Sequence, residues 1–197
     1  MKTLSKTLAA SAILLSSAFA STSSFAADKY EFDASHSQIV FSYNHLGFST
    51  TYGMFSGFEG SAMLDMDDVS KSSVQLEIKT ADMITGWDAR TGHFSSPDFF
   101  NVAEFPVATF VSTSVESTGE KTAKITGDLT ILDQTKSVVL DATLNQIGKH
   151  PQSQKDWAGF DATTTLIRSD FNLGKFAPYV SDEVKLVISV EMGKVDG

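Results

Sequence analysis

The feature that most limits the fold of this chain is an alternation of apolar and polar residues with a period of two. Residues 184–192 show it clearly, with Val184, Leu186 and Ile188 on one face. Successive side chains of a β-strand point to opposite faces, so this pattern predicts strands with one apolar face. The same period recurs at residues 30–32, 38–45, 52–66, 73–79, 107–116, 122–132, 136–147 and 160–168.

About eight or nine antiparallel strands joined by polar turns make either a sandwich or a closed barrel. The long strand candidate at 52–66 contains Gly53, Gly57 and Gly60. Glycines inside a strand mark bulges or sharp bends, which barrel closure requires. The prediction is therefore an all-β, antiparallel fold in which an eight-stranded barrel is favoured over a sandwich. Such a barrel has an interior wide enough for side chains or a small ligand.

Two stretches lack the period of two. Residues 81–105 contain Trp87, Arg90, His93 and several phenylalanines without alternation, and residues 170–178 are also irregular. Both stretches predict short helical insertions between strands.

The N-terminal segment has the composition of a cleaved signal peptide. Lys2 and Lys6 precede an apolar stretch at 8–20, and Ser24-Phe25-Ala26 fits the small-x-small rule of signal peptidase. Cleavage after Ala26 is preferred, because strand-like sequence starts two residues later, and cleavage after Ala20 is the alternative. The apolar stretch is too short to be a good membrane span. This predicts a signal peptide at 1–26 and one domain at 27–197.

Composition excludes several functions. The net charge is −9 with no basic tract, so nucleic acid is not an expected partner. The absence of cysteine removes disulfides, thiol catalysis, thiolate metal sites and the lipidated cysteine of a bacterial lipoprotein. No stretch after residue 26 has the length of a transmembrane helix. The expectation is a free periplasmic protein.

Phenylalanine is abundant in the first half of the domain. Two interpretations fit this abundance, namely ordinary core packing and a wall around an apolar ligand. A barrel of eight strands encloses volume that some of these rings would line. Seven of the 15 phenylalanines lie between residues 41 and 100, namely Phe41, Phe48, Phe55, Phe58, Phe94, Phe99 and Phe100.

Arg90 and His93 are the polar candidates for the mouth of such a cavity. Their spacing of three residues places them on one side of a helical turn, where they could orient a polar head group. The alternative is that Arg90 braces the inserted segment against Asp88 or Asp98.

His36 and His45 are separated by nine residues, which places them on opposite faces of one regular strand. Shared metal ligation would need a bend between them, so no metal site is predicted. His36-Ser37 has no accompanying hydrolase motif, and no catalytic residue is predicted.

Several motifs taken together resemble the YceI-like family, exported bacterial proteins with a lipocalin-like barrel. The matches keep their order across nearly all of residues 28–193. They are Tyr30-Glu-Phe-Asp-Ala-Ser-His36-Ser37, His45-Leu46-Gly47, Gly53-x-Phe55-x-x-Phe58-x-Gly60, Arg90-x-x-His93-Phe94, Asp98-Phe99-Phe100, Phe105-Pro106, Gly127-Asp128-Leu129-Thr130-Ile131 and Arg168-Ser169-x-Phe171. Thr91 stands where the family usually has an aspartate, so the resemblance supplies no carboxylate partner for Arg90 there.

The resemblance implies a periplasmic protein that sequesters or carries a long-chain isoprenoid or related amphiphilic lipid. Family members are linked to polyprenyl chains, quinone tails or fatty amides, without an established catalytic activity or cofactor, and a homodimer is possible. The alternatives are an enzyme acting on such a lipid, with His45 or His93 as acid or base, and a ligand-free interaction domain. The predicted ligand-binding residues are Phe41, His45, Phe55, Phe58, Arg90, His93, Phe99, Phe100 and Phe110.

Overall fold

The computed structural model describes residues 27–195, which form ten β-strands, one α-helix and four 3₁₀ turns. The strands are β1 (Asp28–Phe32), β2 (Gln38–His45), β3 (Ser49–Ser56), β4 (Glu59–Leu64), β5 (Ser73–Lys79), β6 (Val107–Ser117), β7 (Thr122–Ile131), β8 (Gln134–Lys149), β9 (Asp156–Ile167) and β10 (Glu183–Lys194). Helix α1 spans Asp88–Ser95, and the 3₁₀ turns span Ala34–His36, Val69–Lys71, Thr80–Asp82 and Arg168–Phe171.

Strand β10 closes the sheet into a barrel. One of its edges pairs with β9 along nearly its whole length, and the other pairs first with β2 and then with β1. Strands β1 and β2 therefore share one position in the wall. Strands β3 and β4, which pair with β2 and β1 respectively, share the next position. With β5 to β10 this gives eight positions, all antiparallel, and the predicted eight-stranded barrel is confirmed.

The shared positions arise because two strands are interrupted. The 3₁₀ turn at Ala34–His36 separates β1 from β2, and Gly57, with φ +74°, separates β3 from β4. The long strand candidate at 52–66 is thus divided into β3 and β4 at Gly57, one of the three glycines expected to mark bends. The premise that His36 and His45 share a regular strand is wrong, because His36 lies in the turn and His45 ends β2.

The two ends of the barrel differ. At the end we call the packed end, the buried side chains Tyr30, Ala62, Ala158 and Met192 form a core with Phe160 and neighbouring apolar groups. At the opposite end, which we call the mouth, a second apolar cluster of Phe110, Leu129, Leu166, Phe171 and Leu173 surrounds open space.

The segment between β5 and β6 covers the side of the barrel that the sheet leaves open. Strand β3 meets this segment through one antiparallel bridge, in which the amides and carbonyls of Met54 and Ile84 exchange hydrogen bonds of 2.8 Å. The segment contains α1, as predicted for residues 81–105. It is anchored where Thr80 donates through its buried hydroxyl to the Phe105 carbonyl at 2.8 Å. The short turn predicted within 170–178 is the 3₁₀ turn at Arg168–Phe171, slightly earlier in the chain.

The signal peptide predicted at residues 1–26 lies outside the described residues. Within residues 27–195, no helix combines the length and apolar character needed to cross a membrane.

The turn that interrupts the first wall strand is stabilised by charge. Asp33 caps it by accepting from the Ser35 amide at 2.9 Å, and its second oxygen lies 2.7 Å from His36 Nδ1. Hydrogen bonds from Ser35 and His36 lower the pKa of Asp33 from 3.8 to about 2, and the Asp33 carboxylate raises the pKa of His36 above 6.5.

We expect Asp33→Asn to lower the free energy of unfolding most between about pH 4 and 6.5. The Asp33 contribution is complete above the unfolded pKa of 3.8 and is lost as pH falls through about 2. The His36 contribution is complete below 6.5 and is lost as pH rises through its raised pKa. Urea unfolding of wild type and variant across this range measures the difference.

Asp68→Asn is the matched control, because Asp68 caps the turn at Val69–Lys71 in the same way but pairs with Lys71 instead of a histidine. The loss of unfolding free energy caused by Asp68→Asn should not change between pH 6 and 8. An Asp33→Asn effect that is equally flat over that range contradicts the role assigned to His36.

Candidate functional site

The mouth half of the barrel encloses a cavity of about 590 Å³. Strand β10 shows how the sequence pattern builds its wall. Val184, Leu186 and Ile188 line the cavity, whereas the alternate residues Lys185 and Val187 are exposed on the outside. The apolar lining from the other strands includes Leu76, Ile78, Ala108, Phe110, Leu129, Ile131, Val138, Leu140 and Leu166.

Strand β2 gives the cavity a gradient of polarity. Four alternate residues line it, and the order runs from the barrel middle to the mouth as Ile39, Phe41, Tyr43 and His45. Ile39 and Phe41 are buried, while Tyr43 is half-buried and His45 is exposed. The apolar part of a ligand therefore fits the deep end, and a polar part fits near Tyr43 and His45.

Aromatic rings form one continuous side of the cavity. The Phe41 and Phe55 centroids are 5.8 Å apart, and Phe55 meets Phe100 edge-on at 5.8 Å. Gly53 lies directly opposite Phe41 across the β2–β3 ladder, and a Cβ at this position would collide with the Phe41 ring. The glycine is therefore required by the close approach of the ring.

Helix α1 carries the polar candidates to the mouth. Arg90 and His93 both line the cavity, as their spacing of three residues predicts. The His93 ring packs edge-on against Phe99 with centroids 5.0 Å apart, and its Nε2 lies 3.7 Å from Asp98 Oδ2. His93 thus belongs to both the aromatic wall and the charged rim.

Arg90 braces the inserted segment, but not through the predicted carboxylates. It donates to the Thr85 carbonyl at 3.1 Å, and its guanidinium lies 5.7 Å from the Trp87 ring centroid. The Thr91 hydroxyl hydrogen-bonds the Thr85 hydroxyl at 2.8 Å. Within residues 27–195 Arg90 forms no ion pair with Asp88 or Asp98, and the Asp98 carboxylate pairs instead with Lys175 and His93.

Arg168 organises the other side of the mouth. Its buried guanidinium donates to the carbonyls of Leu173, Lys175, Val180 and Ser181, all in the loop before β10. Burial lowers the pKa of Arg168, and the Asp182 carboxylate opposes that shift. Asp182 also caps the adjoining 3₁₀ turn by accepting from the Ser169 amide and hydroxyl.

Eight of the nine predicted ligand-binding residues line the cavity: Phe41, His45, Phe55, Arg90, His93, Phe99, Phe100 and Phe110. Their contact with a ligand stays a prediction. Phe58 lies outside the lining. It is buried and packs edge-on against Phe32 at 5.7 Å, and Phe32 in turn packs against the core of the packed end.

One titratable cluster lies outside the cavity. Asp33, His36 and Glu191 place their ligand atoms within 4.8 Å of one another. However, Asp33 and His36 bond each other, and Glu191 Oε2 accepts from Trp157 Nε1 at 2.9 Å. Ser35 and Asp33 both approach the same imidazole nitrogen, Nδ1, so the group lacks the geometry of a catalytic triad, which uses both nitrogens.

The comparisons with known proteins agree with this architecture. The model of the YceI-like domain family matches residues 30–192. The chain belongs to the YceI-like domain family. A UPF0312 protein of Pseudomonas savastanoi is 41% identical over 191 residues, which cover 95% of this chain and 97% of the relative.

Solved structures show the same barrel as this YceI-like chain. Burkholderia cenocepacia BcnA superposes with a TM-score of 0.74 at 26% identity, covering 81% of this chain and 98% of BcnA. The Campylobacter jejuni YCEI protein superposes with a TM-score of 0.70 at 28% identity, covering 78% and 90%. A polyisoprenoid binding domain from Saccharophagus degradans shares the fold with a TM-score of 0.66 at 15% identity, covering 84% and 98%.

Sequence reasoning about this YceI-like chain did not assign Tyr43, Trp87, Arg168 and Phe176 to the cavity, although all four line it. Tyr43 could have been found, because it continues the alternation of Phe41 and His45. Arg168 stood within a family motif, but a sequence does not show that an arginine will be buried among carbonyls. Trp87 and Phe176 lie in irregular segments, where no periodicity assigns a face.

We expect Arg168→Ala to lower the free energy of unfolding of this YceI-like domain by about 3 kcal/mol, because several loop carbonyls lose a charged donor. The stability of Arg168→Lys should lie between that of the wild type and that of Arg168→Ala, since an ammonium cannot donate to several carbonyls in the fork geometry of a guanidinium. Urea unfolding measures both.

Lys185→Ala serves as the control, because Lys185 is an exposed cation on the outer face of β10, and its effect should stay within about 0.5 kcal/mol. If Arg168→Ala lowers the free energy of unfolding by less than about 1 kcal/mol, Arg168 does not organise the loop before β10.

Proposed function

We propose that this chain binds a long-chain isoprenoid or related amphiphilic lipid, which it sequesters or carries with the apolar chain inside the barrel. The observation that carries the proposal is the cavity of about 590 Å³ with a nearly continuous apolar and aromatic lining. Its volume lies in the range of roughly 300–1,000 Å³ that is typical of small-molecule sites.

The energetics support a lipid chain as the ligand. Each buried methylene contributes about 0.8 kcal/mol, so ten to twenty carbons contribute roughly 8–16 kcal/mol. Association costs on the order of 4–15 kcal/mol. A long chain can therefore be retained by apolar contact without an ionic anchor, whereas a short chain cannot.

The polar groups at the mouth can accommodate a neutral head group. The guanidinium groups of Arg90 and Arg168 are already bound to protein carbonyls. Among the described residues, the Tyr43 hydroxyl and the His45 imidazole have no protein hydrogen-bond partner, although both residues line the cavity. A quinone carbonyl, alcohol or amide can exchange hydrogen bonds with these two side chains.

Two further considerations support the proposal. The Saccharophagus degradans domain, described as a polyisoprenoid binding domain, has the same fold. The charged start, the apolar stretch at 8–20 and Ser24-Phe25-Ala26 support export to the periplasm. A periplasmic carrier would shield an apolar molecule from water between membranes.

Binding without turnover is part of the proposal. An acid or base acting on a bound lipid needs a partner group in reach of the reacting atom. Within residues 27–195, neither His45 nor His93 forms a hydrogen bond with a serine or threonine hydroxyl, and the ion-pair partner of His93, Asp98, is itself engaged by Lys175.

We expect native mass spectrometry of protein purified from its own periplasm to show a retained lipid. Phe55→Asp should lower the retained fraction at least about tenfold, because a carboxylate beside Phe41 and Phe100 must be desolvated when the lipid enters. Phe55→Ala should give a smaller loss and tests the same contact if Phe55→Asp folds poorly.

Tyr52→Asp is the matched control. Tyr52 lies on the same strand, is exposed and does not line the cavity, so lipid retention should be unchanged. An apo species in the native preparation, together with wild-type protein that takes up no prenyl alcohol, quinone or fatty amide, excludes the proposed function. Chemical conversion of the bound lipid supports the enzymatic alternative.

A second prediction concerns the head group. Tyr43→Phe combined with His45→Ala should weaken binding of a prenyl quinone about thirtyfold, because each of the two lost hydrogen bonds costs about 1 kcal/mol. Binding of the matching hydrocarbon chain without a head group should not change. Fluorescence quenching titrations with both ligands measure the difference, and equal losses for the two ligands contradict the assignment of Tyr43 and His45 to the head group.

A further inference from the structure

Large exposed apolar side chains gather around the mouth. We call Leu46, Phe48, Trp87, Phe176 and Tyr179 the mouth rim. All five are exposed, and two of them almost fully, since Phe48 is 89% and Tyr179 is 78% accessible. They come from three loops, namely the β2–β3 turn, the segment before α1 and the loop before β10.

The mouth rim is held in place. The Leu46 amide donates to the Tyr179 carbonyl at 3.2 Å, and His45 and Val180 form an antiparallel bridge. The Ser181 amide donates to the Asn44 carbonyl at 3.0 Å. From beneath, Arg168 binds carbonyls of the same loop. The backbone therefore presents Phe48 and Tyr179 to the outside on fixed loops.

The packed end has a different surface. Its three connecting loops, at residues 65–72, 118–121 and 150–155, are made almost wholly of charged, polar and turn-forming residues. Met66 is the one large apolar side chain that is mostly exposed in these loops. Because the two ends face the same solvent, the contrast indicates a contact specific to the mouth.

The mouth rim is continuous with the cavity. Trp87 and Phe176 are exposed and also line the cavity. The Phe176 ring lies 6.3 Å from Phe99 and 6.2 Å from His93, both of which are part of the inner wall. An apolar chain can therefore move from the rim to the interior along an unbroken apolar surface.

We infer that the mouth rim docks on the surface of an uncharged lipid bilayer, so that the ligand passes between bilayer and cavity without crossing water. This inference rests on the proposed function. Phe, Tyr and Trp side chains are suited to the interface between head groups and acyl chains. A bilayer is also the phase in which a long-chain lipid resides, which makes it the source that the cavity must reach.

The charge of the protein indicates which type of bilayer surface the mouth rim would contact. The chain has a net charge of −9, and the mouth carries Asp88, Asp98 and Asp182. Among its cations, Lys175 pairs with Asp98, and Arg90 and Arg168 donate hydrogen bonds to protein carbonyls. The net negative charge of the chain disfavours an anionic surface, and a zwitterionic surface is favoured.

The test uses phosphatidylcholine vesicles loaded with a dansyl-labelled prenyl alcohol as the probe. Transfer of the probe to the wild-type protein should speed up in proportion to vesicle concentration, which is the signature of docking. The double variant Phe48→Ser with Tyr179→Ser should transfer about tenfold more slowly, because both aromatic groups lose their burial at the interface. Adding phosphatidylglycerol to the vesicles should not increase the rate.

Neither Phe48 nor Tyr179 lines the cavity, so the variant should take up probe supplied from ethanol as well as the wild type does. The control variant, Tyr52→Ser with Met66→Ser, removes two exposed apolar side chains away from the mouth and should transfer normally. Circular dichroism checks that both variants are folded.

The outcomes separate the two proposals. Failure of the wild type to take up probe from ethanol overturns the proposed function. Normal uptake from ethanol, with a transfer rate that is independent of vesicle concentration and equal in both variants, overturns the docking inference alone. Analytical ultracentrifugation adds a third result, because a wild-type dimer that the rim substitutions dissociate, with unchanged transfer, would assign the rim to a second copy of this chain.

Discussion

Hydrogen bonding along both edges of β10 is the constraint on which the rest of the barrel depends. One edge is occupied by β9, and the opposite edge is divided between β2 and β1. Because two strands share one edge, the chain must turn between them, and the turn at Ala34–His36 does so. The same division continues in β3 and β4, and it leaves one side of the barrel open beside β3. The inserted segment with α1 covers that side, which places Arg90, His93 and the aromatic wall at the cavity.

The barrel thus has two regions with different energetic roles. At the packed end, Tyr30, Met192 and Phe160 fill the interior and supply apolar burial for stability. At the mouth, similar side chains line the space without filling it, so part of their contact area is left for a ligand. Arg168 maintains this arrangement, because the carbonyls it binds hold the loop before β10 across the mouth. The same loop presents Tyr179 to the outside, so one buried arginine supports both the cavity and the mouth rim.

Much of the site could be predicted because most of its residues sit on regular strands or on one short helix. Period-two alternation assigns Phe41 to one face with Ile39, Tyr43 and His45, and a spacing of three assigns Arg90 and His93 to one side of α1. Phe58 does not follow from alternation, because it lies beyond the break at Gly57, where it packs against Phe32 beside the core of the packed end. The partner of Arg90 could not be predicted either, because the acceptor is the main-chain carbonyl of Thr85, and every residue has such a carbonyl.

The sequence by itself determined the class of fold, the antiparallel order of the strands and the apolar character of the interior, since these follow from local periodicity and composition. Tertiary structure decided which apolar residues fill the interior and which line open space. That division depends on where the strands are interrupted and on how the loops pack across the mouth. It also decided the location of the mouth rim. More than a hundred residues separate Tyr179 from Leu46 and Phe48. Backbone hydrogen bonds between two distant loops bring these side chains together.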